Sequence, residues 1–297
     1  MDQPPMQATL FDTVPMVGQP HTAKFDLHCH SNASDGALAP SEVVRRAASR
    51  GVATLALTDH DTLAGLDEAK AVAVEVGIEL IPGVEISCQW QQHTLHIVAL
   101  GFDIDCASFL RAIEAQAQAR NKRAGLIDEA LQRKGCPSVL GQARSMTRDG
   151  IPGRPHFARA LVDAGCVRTE QQAFKRWLGA GKVGDIPACW PELAEVVRYI
   201  HASGGVAVLA HPRKYRMSAT RLRKLVEEFA SLGGDALEVL TGGQAPPDTE
   251  LLSDLCIKHG LRASCGSDFH KPGQPWTELG SLPPLPHRLT PVWVNGF

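Results

Sequence analysis

From Lys24 onward short apolar runs alternate with longer amphipathic stretches, the pattern of a chain that lays down strand and helix in turn. The strand-like runs are 24–28 (KFDLH), 52–57 (VATLAL), 79–86 (ELIPGVEI), 94–100 (TLHIVAL), 205–210 (GVAVLA), 235–240 (DALEVL) and 261–267 (LRASCGS). Helical patterns occupy 40–50, 62–77, 191–203, 219–232 and 248–259. Pro40 and Pro191 stand where helices should begin, and Gly77 and Gly204–Gly205 where helices should stop. Proline's fixed φ suits a first turn whose N–H has no partner anyway, and glycine tolerates the left-handed exit. Strand, helix, parallel strand is the βαβ pattern, so seven such strands predict an α/β barrel one strand short of the usual eight.

Residues 104–184 break this rhythm and predict helices at 106–134, 155–165 and 169–179 without a convincing strand. The expected organisation is an N-terminal arm at 1–22, rich in Pro and Gln, a first barrel part at 23–103, a helical insert at 104–184 and a second barrel part at 185–297. With 297 residues, 44% of them hydrophobic, the chain can bury a core for one large α/β domain with an insert. A net charge of -2 excludes a global basic field. The charge is unevenly spread, however. The insert holds 14 Lys and Arg against 7 Asp and Glu, hence +7, which leaves -9 elsewhere. This predicts a basic insert on an acidic barrel, although solvated helix faces would give the same count. No apolar run approaches the ~20 residues of a membrane span. The first segment has no Lys or Arg before Lys24 and no apolar block, which argues against a secretory signal. Eight cysteines without a C-x-x-C pair suit reduced thiols. The expected location is the cytoplasm.

The ligand-type residues fall at one kind of place. Residues two apart on a strand share a face, so Asp26, His28 and His30 point one way and Phe25, Leu27 and Cys29 the other. Run 52–57 ends in Thr58-Asp59-His60-Asp61, run 79–86 carries Glu85, run 94–100 carries His96, run 205–210 ends in His211, and run 261–267 ends in Asp268-Phe269-His270. Six of seven strands thus carry such a residue at or near the C-terminal end, where the loops of an α/β barrel converge on one mouth. His28, His30, Asp35, His60, Glu85, His96, His211, Asp268 and His270 make nine candidate ligands, enough for three metals. Three divalent ions bring more positive charge than three carboxylates cancel, so the site suits an anionic substrate. Metals also lower the pKa of water toward neutrality, and metal-assisted hydrolysis of a phosphate ester is the expected chemistry.

FDLHCHSNASDG, LALTDHDT, IPGVEIS, LHIVALG, VLAHP and GSDFH, in that order, resemble the signature motifs of the PHP (polymerase and histidinol phosphatase) superfamily. Gly153-Arg154-Pro155-His156-Phe157-Ala158 resembles a stretch of its TrpH-like group. The resemblance implies a distorted (β/α)7 barrel with an inserted small helical domain, the nine residues above as metal ligands, and manganese as the preferred ion, with zinc, iron or magnesium as alternatives. It also implies nucleoside 3′,5′-bisphosphates and short or structured 5′-monophosphorylated RNA as substrates, as in bisphosphate phosphatases and 5′-to-3′ exoribonucleases of the RNase AM type. Neither a membrane nor an obligate protein partner is expected. One alternative is a phosphatase of small metabolites such as histidinol phosphate, against which the basic insert argues. Another is a non-catalytic metal-binding module, against which the complete ligand set argues.

Other residues are expected to serve the centre indirectly. Asp59 is expected to orient a ligand imidazole, while Asp61 would cap the next helix and Asp26 brace a ligand or cover the barrel floor. Arg154, beside Pro155, is the leading candidate for holding the phosphate that is not cleaved, with Arg213 as a second contact and Lys214 as a weaker one. His156 would touch phosphate or protonate the leaving oxygen. Cys29 is expected to be a buried thiol, and Trp90, Trp190 and Trp276 to pack or, less often, to stack a base.

Overall fold

In the computed structural model, which describes residues 24–186, 190–215, 217–294 and 296–297, seven strands form one sheet in sequence order. The expected arm at 1–22 lies outside the described residues. β1 (Lys24–Asp26), β2 (Val52–Leu57) and β3 (Glu79–Trp90) are parallel neighbours, joined by α1 (Pro40–Ser49) and α2 (Leu66–Val76). β3 then turns through Gln91 and Gln92 into β4 (His93–Leu100). A link that short cannot carry a crossover, so β4 runs antiparallel to β3 and also to β5 (Val206–Leu209). The expectation of strand, helix and parallel strand throughout is therefore corrected: the sheet is mixed, and the reversal lies at its centre. β5, β6 (Ala236–Thr241) and β7 (Arg262–Gly266) are again parallel. Barrel closure comes from the segment after β1. Leu27 N–H donates to Cys265 O (3.0 Å), His30 N–H to Phe269 O (2.8 Å) and Asp268 N–H to His28 O (2.8 Å).

Between β4 and β5 the described chain contains α3 (Ala107–Gln132), α4 (Leu140–Ser145), α5 (Arg154–Asp163) and α6 (Glu170–Ala173), the last continuing into a wide turn at Phe174–Leu178. These helices have their own apolar cluster around Ile127, Leu131, Phe157, Leu161 and Leu178. α3 is shared between two cores. Its Phe109 and Ile113 lie in the barrel-side cluster with Ile97 and Val197, whereas its Ala124, Ile127 and Leu131 lie in the cluster of the helical segment. α7 (Leu193–Ala202), α8 (Ala219–Ser231) and α9 (Pro246–His259) cover the sheet from outside through Val196, Leu225 and Leu252.

The lumen is filled rather than open. Leu27, Ala56, Ile81, Val98, Val208, Ala210 and Ala236 form one cluster, closed by Val292, Trp293 and Phe297 near the C-terminus. Trp293 stacks on Phe25 with centroids 3.9 Å apart. With that end of the barrel plugged by apolar side chains, polar side chains converge at the other.

Candidate metal centre

All nine side chains singled out from the sequence converge at the mouth. They form four overlapping groups: His30, Asp35, His60 and His270; His28, Glu85 and His211; His28, His30 and Asp268; and His60, Glu85 and His96. Within each group the candidate ligating atoms lie within 4.8 Å of one another. β4's reversal explains how His96 takes part. It stands in the first half of its strand, which the antiparallel register sets opposite Ser87, two residues from Glu85.

Glu85 is the hub. Its carboxylate oxygens lie 2.8 Å from His211 Nε2, 2.9 Å from His60 Nδ1, 2.9 Å from His96 Nδ1, and 3.4 Å from Nε2 of both His28 and His30. Although burial opposes ionisation, the imidazoles of His60, His96 and His28 hold the carboxyl well below the usual range. Burial pushes His30 in the other direction from imidazolium, down to about 3. Carboxylate and neutral imidazole are the forms that bind a divalent ion.

A divalent metal fits this donor set on a second observation. Buried polar atoms are almost always hydrogen-bonded. Here Nδ1 of His30, His60, His96 and His211 and Oε2 of Glu85 are buried without a hydrogen bond among the described residues, although two of those nitrogens sit 2.9 Å from a carboxylate oxygen. Donor atoms that converge without hydrogen-bond alignment suit a shared ion between them.

Backbone strain marks the same place. Asp61, His211 and Asp268 are non-glycine residues with positive φ (53°, 31° and 53°), a conformation that persists only where surroundings enforce it. Gly266 is required for close approach. A Cβ there would lie 2.1 Å from His28 Cβ, so any larger residue would displace a candidate ligand.

The surrounding carboxylates behave differently from the expectations. Asp59 contacts no imidazole in the described structure. It accepts from Ser31 N–H (2.8 Å), Ser31 Oγ (2.6 Å) and Ser34 Oγ (2.6 Å), and so clamps the loop that presents Asp35. Its expected role beside an imidazole is corrected to that of a positioning residue, with burial pushing its carboxyl up to about 6. Asp61 caps no helix, because α2 begins only at Leu66. It accepts instead from Ser87 N–H (2.7 Å), Ser87 Oγ (2.8 Å) and Arg120 Nε (3.0 Å), tying the barrel to α3. Asp26 accepts from Ser267 N–H and Gly280 N–H and fixes the loop at the end of β7. Cys29 is a buried thiol whose Sγ donates to Ala56 O (3.3 Å), and burial holds it well above the ordinary thiol range.

Glu238 was not singled out from the sequence. It lies on β6, the one strand without an expected ligand, and its Oε2 is 2.8 Å from His28 Nδ1 and accepts His211 N–H at 3.0 Å. A carboxylate inside the apolar run DALEVL was the available signal. A partner of this kind fixes tautomer and ring orientation at a metal site. Tyr215 likewise accepts His96 N–H (2.8 Å) and rests edge-on against His211.

The expected phosphate contacts are spread around the rim. Arg154 opens α5 and donates from Nη1 to Asp185 Oδ1 (2.9 Å) and Leu178 O (3.2 Å). His156 Nδ1 accepts the Gly153 N–H (3.0 Å), which leaves the proton of a neutral ring on Nε2, and burial lowers its pKa. Arg213 is held by Asp248 through Nε (2.7 Å), while neighbouring Lys214 pairs with Asp268 of the cluster. Trp90 and Trp190 are buried, whereas Trp276 is 74% exposed and is therefore not a packing residue.

Comparison with known proteins agrees with this geometry. Residues 26–142 match the model of the PHP domain. The chain is 44% identical to the 5′-3′ exoribonuclease of Haemophilus influenzae over 92% of its own length and 98% of that protein. It is 40% identical to the 3′,5′-nucleoside bisphosphate phosphatase of Chromobacterium violaceum over 91% of this chain and 95% of that one. A solved structure described as an amidohydrolase from Chromobacterium violaceum superposes with a TM-score of 0.85 at 39% identity, over 91% of this chain and 95% of that chain.

Proposed function

This chain belongs to the PHP family, and on that premise we propose that it is a divalent-metal phosphoesterase hydrolysing the 3′-phosphoester of nucleotides that also carry a 5′-phosphate. Nucleoside 3′,5′-bisphosphates would yield the 5′-monophosphate and phosphate, and 5′-monophosphorylated RNA would be trimmed from that end. The observation that carries the reading is the nine-residue cluster at the barrel mouth. His28, His30, Asp35, His60, Glu85, His96, His211, Asp268 and His270 would hold three divalent ions, with manganese the first choice. When bound, these ions supply Lewis-acid polarisation of the phosphoryl oxygens and a water acidic enough to act near neutral pH.

The protein's own groups do the rest. Asp35, Glu85 and Asp268 cancel half the charge of three divalent ions, so the mouth stays electropositive and selects a phosphate. Asp59 keeps Asp35 in place, and Glu238 keeps His28 and His211 in place. His156, with its Nε2 proton, donates to a phosphoryl oxygen or to the leaving oxygen. Arg154 and Arg213 contact the 5′-phosphate. The basic segment 104–184 serves as lid and as track for a phosphate backbone. No helix among the described residues is long and apolar enough to cross a membrane, and we assign the enzyme to the cytoplasm.

The test is a pair of RNA oligonucleotides that differ only at the 5′ end. The 5′-monophosphorylated strand is expected to be shortened one nucleotide at a time from that end, at least about tenfold faster than the 5′-hydroxyl strand. Equal rates on the two strands would remove the 5′-phosphate from the reading.

A further inference from the structure

Among the described residues Trp276 is the largest apolar side chain that the fold leaves exposed. The chain just after it is anchored, so the exposure is not looseness. Glu278 takes the Arg46 guanidinium (2.6 and 2.9 Å), and Gly280 N–H donates to Asp26 Oδ2 (3.1 Å). Trp276 borders a groove of about 640 Å³ between the first turn of α9 and the segment 281–286. Pro246, Pro247, Pro283 and Pro284 stiffen its walls. Its one charged lining residue among those described, Glu250, is taken by Arg288 (2.7 Å). A space of this size holds a small molecule, and without a Lys or Arg in its lining it suits an uncharged flat ring rather than a phosphate.

The groove is continuous with the candidate metal cluster. Thr241, which lines it, donates from Oγ1 to Glu238 Oε1 (2.6 Å), and the other oxygen of that carboxylate lies 2.8 Å from His28 Nδ1. At Gly242 a Cβ would lie 2.3 Å from Ser267 O and 2.9 Å from Thr277 Cα. The turn after β6 is therefore pressed between the residue before Asp268 and the residue after Trp276. Arg213, two residues after His211, holds Asp248 on the first turn of α9. Lys271, beside His270, reaches Glu170 (3.8 Å), so the loop that leads to Trp276 also touches the helical segment. Cations beside the cluster and a bare indole beyond them are the combination that single-stranded nucleic acid uses, the charges following the backbone and the ring taking a base.

We propose that the groove at Trp276 is a subsite for the nucleobase downstream of the scissile phosphate, with the indole as its stacking platform and specificity-determining residue. The proposal rests on the phosphoesterase reading and deepens it. Hydrolysis at the 3′-oxygen leaves the phosphate on the downstream strand. An RNA substrate therefore presents a nucleoside beyond the phosphorus, and a nucleoside 3′,5′-bisphosphate presents none. Trp276 separates the two substrates, because only RNA reaches it. Every base has a π-face, so the platform accepts any of the four.

The experiment gives the full-length, manganese-loaded enzyme two substrates that share their first nucleotide, adenosine 3′,5′-bisphosphate and the 5′-phosphorylated dinucleotide pApA. Trp276→Ala should lower kcat/KM on the dinucleotide about 5- to 100-fold and leave that on the bisphosphate within about twofold. Trp276→Phe keeps a ring and should recover most of the loss. Calorimetry follows binding of a pApA analogue whose scissile 3′-oxygen is replaced by methylene, and Trp276→Ala should weaken it by the same factor. Unchanged turnover of the dinucleotide, or equal losses on the two substrates, would overturn the subsite. So would a wild-type dimer that Trp276→Ala converts to monomers in sedimentation, which would give the groove to a second copy of the chain. If the enzyme cleaves neither substrate, weaker analogue binding by Trp276→Ala supports the subsite and overturns the activity, whereas unchanged binding overturns the subsite.

Discussion

Glu85→Gln is expected to lower kcat by about 10³-fold or more and to reduce the divalent metal recovered with the purified enzyme. Five imidazoles lie within 3.4 Å of its carboxylate. The substitution keeps volume and shape but removes a charge that two of the four donor groups share. A divalent ion contributes several kcal/mol to stabilising charge at phosphorus, and each ~1.4 kcal/mol is a factor of ten in rate. Loss of one ion therefore accounts for three decades. Metal analysis by mass spectrometry beside kcat at saturating substrate checks both parts. A variant that kept its ions and its rate would remove Glu85 from the centre. Unaltered circular dichroism is expected, because the packed lumen lies below this residue and shares no side chain with it.

The second large effect concerns stability. Asp61→Ala should lower the free energy of unfolding by roughly 3–5 kcal/mol, the range for removing one partner of a buried ion pair. Asp61 is buried, and its carboxylate takes Ser87 N–H, Ser87 Oγ and the Arg120 guanidinium together. Removing it strands Arg120 among two further arginines with one fewer counter-charge. Adding Arg120→Met in the same chain should restore much of the loss, because the guanidinium that Asp61 had paired is then removed as well. Urea unfolding of the two single variants and the double variant gives the coupling energy directly. A cost below about 1 kcal/mol for Asp61→Ala would place this pair with ordinary surface ion pairs.

The strands were legible because their apolar runs are short and bounded. 52–57 is found as β2 without change, and the others differ by a few residues at their ends. The direction of β4 was missed although the sequence held the signal: 79–86 and 94–100 stand too close for a helical crossover. Reading every strand as parallel would put His96 away from the mouth, since it precedes the end of its strand. The reversal brings it back. The nine candidate ligands were legible because ligand-type side chains recur at strand ends, a pattern independent of the contacts between them. What they lean on was less legible. The partner of Arg120 lies 59 residues away and that of His28 lies 210 away, so no local spacing announces either. Asp59 and Asp61 flank His60 in the same way along the chain. Their jobs differ because Asp61 takes a left-handed backbone conformation that turns it toward β3 and α3, while Asp59 faces the loop at 31–34.

The most direct measurement gives the manganese-loaded enzyme adenosine 3′,5′-bisphosphate, 3′-AMP and histidinol phosphate in parallel and follows phosphate release. Fast turnover of the bisphosphate with slow turnover of both single-phosphate compounds is the predicted result. Equal or faster turnover of 3′-AMP or histidinol phosphate would contradict 5′-phosphate recognition and leave a general phosphatase of small metabolites.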